Sequence, residues 1–364
     1  MKILFANTNI GYGGASKIMV WVANVCAHAN HDITFLTYRD NNYRQKLDPL
    51  VKQVHIQLED ISGRGKGLFN TVKVLRSYIA DNDFDLAIGF LAPSQLRLAL
   101  ACKGLKCKTL FSQRGDPFQS SKGIKNKVIN YIAYKAFCSA DAFVFQTPMA
   151  ADYYSKAIRK RSEVICNPIY PLVRTIPREG NVTKDIVCVA RLDIKQKRQD
   201  LLINAFNIIS NKYPEYKLKL YGDGFVYDEK KLREKASDNS NIIFMGATTD
   251  VSSAIQNAAF FVLSSDYEGI PNALLEAMSI GVPCVSTDCS PGGAAMLIQN
   301  KKNGLLVLRN NVHALADAME YMICHPIEAE QMGKNGMYVC DAFSEKVIAG
   351  KWLSFIGKCH NWNR

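Results

Sequence analysis

Long apolar runs are missing from this chain of 364 residues. The longest, Met19–Ala27 and Ala258–Leu263, fall far short of the roughly eighteen residues that mark a bilayer-spanning helix, so none is expected. Cysteine spacing of the metal-binding kind is missing as well. Eleven cysteines are scattered singly from Cys26 to Cys359, with no C-x-x-C pair and no histidine at ligand spacing, which argues against both a metal site and a disulfide framework. Cys188 and Cys284 lie inside apolar runs, where a reduced thiol packs as a small hydrophobe. The opening Met1–Thr8 has no small-residue cleavage site, and with reduced thiols this gives a cytoplasmic expectation. Internal repeats and low-complexity tracts are absent. At 48% hydrophobic and 21% charged residues, disorder and coiled coil are excluded.

Negative charge is scarce in one half only. Up to Asn167 there are 23 Lys+Arg against 12 Asp+Glu, and beyond it 22 against 21, so nearly all of the net +12 sits in the first half. A one-sided basic region suits an anionic surface, either acidic lipid or nucleic acid. No RNP, KH, zinc-knuckle or helix-turn-helix signature accompanies it, so an anionic membrane is the expected partner and nucleic acid is not.

What the chain does have is alternation. Apolar β-branched runs at Lys2–Asn7, Asp32–Thr37, Gln53–Leu58, Asp85–Phe90, Lys108–Ser112, Ala142–Phe145 and Glu163–Cys166 are separated by helix-length stretches. The pattern restarts at Ile186–Ala190 and continues through Lys217–Tyr221, Ile242–Met245, Phe260–Leu263, Pro283–Ser286 and Gly304–Val307. Two doubly wound parallel α/β sheets in tandem are therefore predicted. Pro168, Pro171, Pro177 and Gly180 mark a linker, giving a first domain of 1–167 and a second of 168–342, with the amphipathic stretch 343–364 completing the first domain. Ligands of such sheets bind at strand carboxyl ends, so a site facing the cleft of two such domains is expected.

Three motifs sit at those ends. The loop after the first strand, Asn9–Ser16, carries Gly13 and Gly14 but lacks the third glycine of a dinucleotide fingerprint, because Ser16 stands there. It opens a helix whose N–H groups could cradle phosphate. Arg191 and Lys197, six apart on the loop before a helix near Asp200, suit the two charges of a diphosphate. Glu268-Gly269-Ile270-Pro271-Asn272 follows a strand, with Pro271 placed in the first helical turn and Glu276 inside that helix. The Asp81–Asp85 cluster precedes a strand and so lies at the inactive edge, and Gly63–Gly67 lacks the ending of a P-loop.

Taken in order, these motifs make the chain resemble the family 4 retaining glycosyltransferases of the GT-B fold. Glu268 and Glu276 match the family's paired glutamates, Arg191 and Lys197 its diphosphate-binding cations, and Gly13 and Gly14 its first glycine turn. The resemblance covers nearly the whole chain. It implies a UDP-sugar donor, with Glu268 at the sugar hydroxyls, Glu276 at the ribose, Arg191 and Lys197 on the diphosphate, and Gly246 and Ala247 near the base. Gly269, Ile270, Pro271 and Asn272 would complete that donor site. It implies a glycan acceptor, lipid-linked, in surface polysaccharide synthesis on the inner face of the plasma membrane. One position departs from the family: Arg114 stands where many members have histidine, so a fixed charge replaces a proton carrier there. No cofactor and no metal is expected, because protein cations and helix N-termini can offset the leaving charge. The competing readings are a sugar-nucleotide epimerase or phosphorylase of the same fold, and a basic nucleic-acid-binding protein.

Overall fold

A computed structural model of the chain describes residues 1–8, 10, 14–38, 46–56, 66–119, 124–169 and 182–360. Gly13, most of the Gly63–Gly67 stretch, and Pro171, Pro177 and Gly180 of the linker lie outside the described residues. The chain divides into two units, Met1–Cys166 with Ile348–Arg364, and Asn167–Val347.

The first unit runs β1 (Lys2–Asn7), α1 (Gly14–His28), β2 (Asp32–Thr37), β3 (Lys52–His55), α2 (Lys66–Asp81), β4 (Leu86–Gly89) and α3 (Ala92–Ala101). It continues with β5 (Lys108–Gln113), α4 (Ile124–Cys138), β6 (Ala142–Phe145), α5 (Pro148–Asp152), α6 (Lys156–Arg159) and β7 (Ser162–Val164). Its seven parallel strands are ordered β3-β2-β1-β4-β5-β6-β7. Central strands are apolar on both faces because helices cover both: Ile3, Leu4, Phe5 and Ala6 are all fully buried. Leu4 and Ala6 join the core with Leu75, Ile79 and Leu98, whereas Phe5 points to the other face and stacks on Phe35. Right-handed crossovers place α2, α3 and α4 side by side on one face, with α3 in the middle.

In the second unit come β8 (Asp185–Val189), α7 (Gln199–Ser210), β9 (Lys217–Tyr221), α8 (Val226–Ala236), β10 (Ile242–Gly246), α9 (Val251–Ile255) and β11 (Phe260–Leu263). Then follow α10 (Asn272–Ser279), β12 (Cys284–Thr287), α11 (Gly293–Leu297), β13 (Leu305–Val307), α12 (Val312–Cys324), α13 (Pro326–Gly336) and α14 (Val339–Ala342). Helix α15 (Glu345–His360) ends the fold, and its Trp352 stacks on Phe90 within the first unit. The six parallel strands of the second sheet are ordered β10-β9-β8-β11-β12-β13. Leu201, Leu202, Ala205, Phe206 and Ile209, spaced along one face of α7, seat that helix on Ile186, Cys188, Leu218 and Leu220.

The edge strands differ from expectation. β3 spans Lys52–His55 instead of starting at Gln53, and β7 spans Ser162–Val164 instead of Glu163–Cys166. Both are half-exposed, so their sequences carry a weaker apolar signal than central strands do. Pro271 is not inside the first turn of its helix. It is the extended residue before α10, with φ −74° and ψ 105°, and the helix begins at Asn272.

Two glycines allow backbone to meet backbone at the carboxyl edge of the second sheet. Gly222, at φ +143°, lies where a Cβ would come within 2.0 Å of the Ala190 carbonyl oxygen, and Gly293 where a Cβ would come within 1.6 Å of that of Gly269. Gly293→Ala must therefore push the Gly269 loop away. The expected cost is about 3 kcal/mol, the upper part of the range for overpacking, which for a domain of this size lowers Tm by on the order of 6–12 °C. Gly350→Ala, in mid-α15 with no atom within 4 Å of the new Cβ, is the control and should stabilise by roughly 0.5–1 kcal/mol. Thermal unfolding of both variants decides: equal Tm values would mean that the loop yields freely.

Candidate active site

In the second sheet β8 is flanked by β9 and β11, and the chain reverses its direction of travel across the sheet between β8 and β11. At such a switch point the helices after the two strands leave to opposite faces, and their loops open a crevice at the carboxyl edge. The loop after β8 carries Arg191 and Lys197. The loop after β11 carries Glu268.

These loops are laced together. Lys197 Nζ donates to Glu268 Oε1, and Ser265 Oγ donates to the same oxygen at 2.8 Å. Ser264 Oγ donates to the Lys197 carbonyl at 2.8 Å, the Asp266 amide to the Gln196 carbonyl at 2.9 Å, and Gln196 Nε2 to the Tyr267 carbonyl at 3.1 Å. From the far side, the Glu268 amide donates to the Ser290 carbonyl at 2.7 Å. The Lys197 and Glu268 side chains are only 18% and 10% exposed, so each charge depends on the other for compensation. Burial pushes the neighbouring Cys188 and Cys289 thiols up to about 12, and the Glu268 carboxylate adds to the rise. Both are therefore protonated at neutral pH and are not nucleophiles.

Arg191 is different in kind. Its side chain is 53% exposed, and its Nη2 donates to Asp193 Oδ2 at 2.7 Å and to Gln196 Oε1 at 3.3 Å. Asp193 and Gln199 shape the loop beneath it: the Gln196 amide donates to Asp193 Oδ1, and Gln199 Nε2 to the Arg191 carbonyl. A guanidinium held on one edge keeps further N–H groups for an incoming anion. Lys197, with three donors and Glu268 on one of them, offers the same in a drier setting.

Sequence reasoning passed over Arg198. It takes the left-handed conformation at φ 52°, immediately before α7. Its guanidinium reaches Asp200 at 3.1 Å, Asp266 at 2.9 Å and the side chain of Asn310. It thereby ties the Lys197 loop, the Glu268 loop and the loop after β13 into one piece. The available signal was Asp266 beside Glu268, an acid with a cation to find.

Around α10, Asn167 Nδ2 donates to Asn272 Oδ1 at 2.6 Å, which occupies that side chain at the helix start. Ile270 and Pro271 are buried, Gly269 faces Gly293, and Glu276 sits half-buried in the second turn of α10. Gly246 is the last residue of β10, two strands away from β8, with φ +76°. It accepts the Gly222 amide at 2.8 Å, and Ala247 follows it, exposed.

In the first unit Gly14 opens α1 and is exposed. Arg114 follows β5, with its guanidinium 5.2 Å from the Phe90 ring centroid. The buried Asp116 accepts the Phe118 amide at 2.9 Å and Gln119 Nε2 at 3.2 Å, as a turn-forming carboxylate does. His28, His31 and His55 bond to Asp48, the N-terminal amine and Thr37. Asp85 accepts the Lys2 amide at 2.7 Å, at the amino edge of the sheet. Among the described residues no three His, Cys, Asp or Glu side chains group as metal ligands, and no helix is long and apolar enough to cross a membrane.

Comparison with known proteins gives this geometry a family. The model described as Glycosyltransferase Family 4 matches residues 12–171, and that described as Glycosyl transferases group 1 matches 183–325. An uncharacterized glycosyltransferase of Haemophilus influenzae is 26% identical over 98% of this chain and 99% of its own length. The Campylobacter jejuni GalNAc-α-(1→4)-GalNAc-α-(1→3)-diNAcBac-PP-undecaprenol α-1,4-N-acetyl-D-galactosaminyltransferase is 24% identical over 99% of both chains. Among solved structures, Anabaena HepE in complex with UDP-glucose superposes with a TM-score of 0.80, at 17% identity, over 98% of this chain and 100% of its own. With one family model on each of its two parallel-sheet units, the chain belongs to the family 4 and group 1 glycosyltransferases and has the GT-B fold.

Proposed function

We propose that the chain transfers a sugar from a UDP-sugar to a lipid-linked glycan, with retention at the anomeric carbon and without a metal ion, in surface-glycan synthesis at the inner face of the membrane. The observation that carries the reading is the Lys197–Glu268 pair beside the half-exposed Arg191, at the switch point of the second sheet. Cations for a leaving diphosphate and a carboxylate for sugar hydroxyls stand there on adjacent loops. The donor class is supported by the UDP-glucose bound to HepE, and the acceptor class by the undecaprenol-linked glycan in the name of the Campylobacter jejuni relative.

In this reading the glycosidic C–O bond breaks with its electron pair on the diphosphate oxygen, while the acceptor oxygen bonds to the anomeric carbon with net retention and its hydroxyl proton passes to the leaving diphosphate. Arg191 and Lys197 offset the charge that develops on the diphosphate. Glu268 turns its second oxygen to the sugar hydroxyls, and Glu276 accepts from the ribose hydroxyls. Backbone groups at Gly246 and Ala247 meet the uracil, Gly269 to Asn272 line the donor, and Gly13 and Gly14 are further donor-binding positions. Arg114 serves as a fixed charge and transfers no proton.

Two experiments test this. Glu268→Gln should depress turnover while leaving UDP affinity close to normal, whereas Glu276→Ala should weaken UDP itself by roughly 1.5–3 kcal/mol, the range for a charged hydrogen bond. Calorimetric titration with UDP alongside initial rates separates the two effects, and equal losses of UDP binding would overturn the assignment. Initial rates in metal-stripped buffer should also survive excess EDTA, while Lys197→Ala and Arg191→Ala lose most activity. An enzyme silenced by chelator and revived by Mn²⁺ would show that these cations do not suffice.

A further inference from the structure

Helix α4 leaves much of its apolar surface in water. Ile129 is 61% exposed, Tyr131 60%, Val128 55% and Ile132 47%, in a helix whose described side chains include Phe137, near its end, as the buried hydrophobic. Val128, Tyr131, Ile132 and Lys135 are three or four residues apart and share one face. Beside that face a groove of about 590 Å³ runs between α3 and α4, lined by Leu96, Leu100, Tyr131 and Ile132 with Lys103 and Lys135 among them. Phe69, in the first turn of α2 on the same side of the sheet, is 77% exposed. Clustered apolar exposure on this scale marks a contact surface.

Charge identifies the occupant. From Leu86 to Ala140 the sequence has nine Lys and Arg and a single acid, Asp116, which is buried and taken up by Phe118 and Gln119. Asp141, at the floor of the groove, accepts the amide and hydroxyl of Thr109. The face is thus apolar side chains among lysines. A second copy of the chain meeting it about a two-fold axis would set these cations against themselves. An anionic bilayer answers both features: acyl chains take the apolar side chains, Tyr131 sits at the headgroup level, and lipid phosphates meet the ammonium groups.

We infer that the exposed face of α4, with the α3–α4 groove and the start of α2, is the surface by which the protein docks on anionic membrane. The inference rests on the lipid-linked acceptor of the proposed function for its purpose, and on exposure and charge for its evidence.

Flotation with vesicles of phosphatidylcholine containing 30% phosphatidylglycerol, and with phosphatidylcholine alone, tests it at 0.05 and 0.5 M NaCl. The intact protein should float with the anionic vesicles and several-fold less at high salt. Ile129→Glu/Ile132→Glu should lose at least tenfold in vesicle binding. Lys127→Gln/Lys135→Gln should lose most of the salt-sensitive part, and because all four side chains are exposed, both variants should melt as the parent does. A parent that ignores the vesicles, or an Ile129→Glu/Ile132→Glu variant that binds as well as the parent, overturns the inference. So does a dimer in sedimentation velocity that this variant dissolves. UDP titration of the same samples keeps the two proposals apart, since loss of UDP binding would strike the donor site and leave the docking face standing.

Discussion

The buried pair of Lys197 and Glu268 is the interaction on which the second unit's working edge is organised. Neither charge has enough water around it to stand alone, and removing one partner of such a pair costs roughly 3–5 kcal/mol. The two loops are therefore obliged to meet. Ser264, Ser265, Gln196 and Asp266 supply the neutral hydrogen bonds that hold them at the right separation, and Arg198 ties both to the loop after β13. Glycines make the remaining approaches possible, because Gly222 and Gly293 let main chain lie against main chain where any side chain would intrude. Arg191 can then project into solvent from a loop that has already been made rigid.

The first unit uses the same sheet topology to different effect. Its strands are packed from both sides, so its polar and charged residues are displaced to helix surfaces and loops. Helix α4 departs most from the usual division among the described helices of this unit, since it shows water both lysines and several aliphatic side chains. Arg114 has an aromatic seat: it rests on the ring of Phe90, which is itself stacked on Trp352 of α15. The last helix thus supports a loop at the carboxyl edge of β5 through two aromatic contacts.

Much of this was legible in the residues alone, for a reason that can be stated for each element. Runs such as Lys2–Asn7 and Phe260–Leu263 announce themselves because a parallel strand buried on both faces must be apolar throughout. The edge strands β3 and β7, half in water, were displaced by a residue or more. Pro271 was assigned to a helix it only precedes, because its fixed φ fits either position and the choice lies in ψ.

By itself the sequence determined the alternation of strand and helix, the concentration of positive charge before Asn167, and the chemical types offered at the strand ends: Arg191, Lys197, Glu268, Glu276 and the glycine turns. Local periodicity and composition suffice for these, since each depends on neighbours a few residues away. Only the tertiary structure decided which of those groups meet. Lys197 finds Glu268 71 residues along, Arg198 enters the left-handed region to reach Asp266 and Asn310, and Asn167 caps its search at Asn272. Such pairings follow from strand order, because β8 and β11 are neighbours in the sheet although two strands intervene in the chain. The direction of a side chain on a loop is set by the partner it reaches, and that partner is visible only once the sheet has closed.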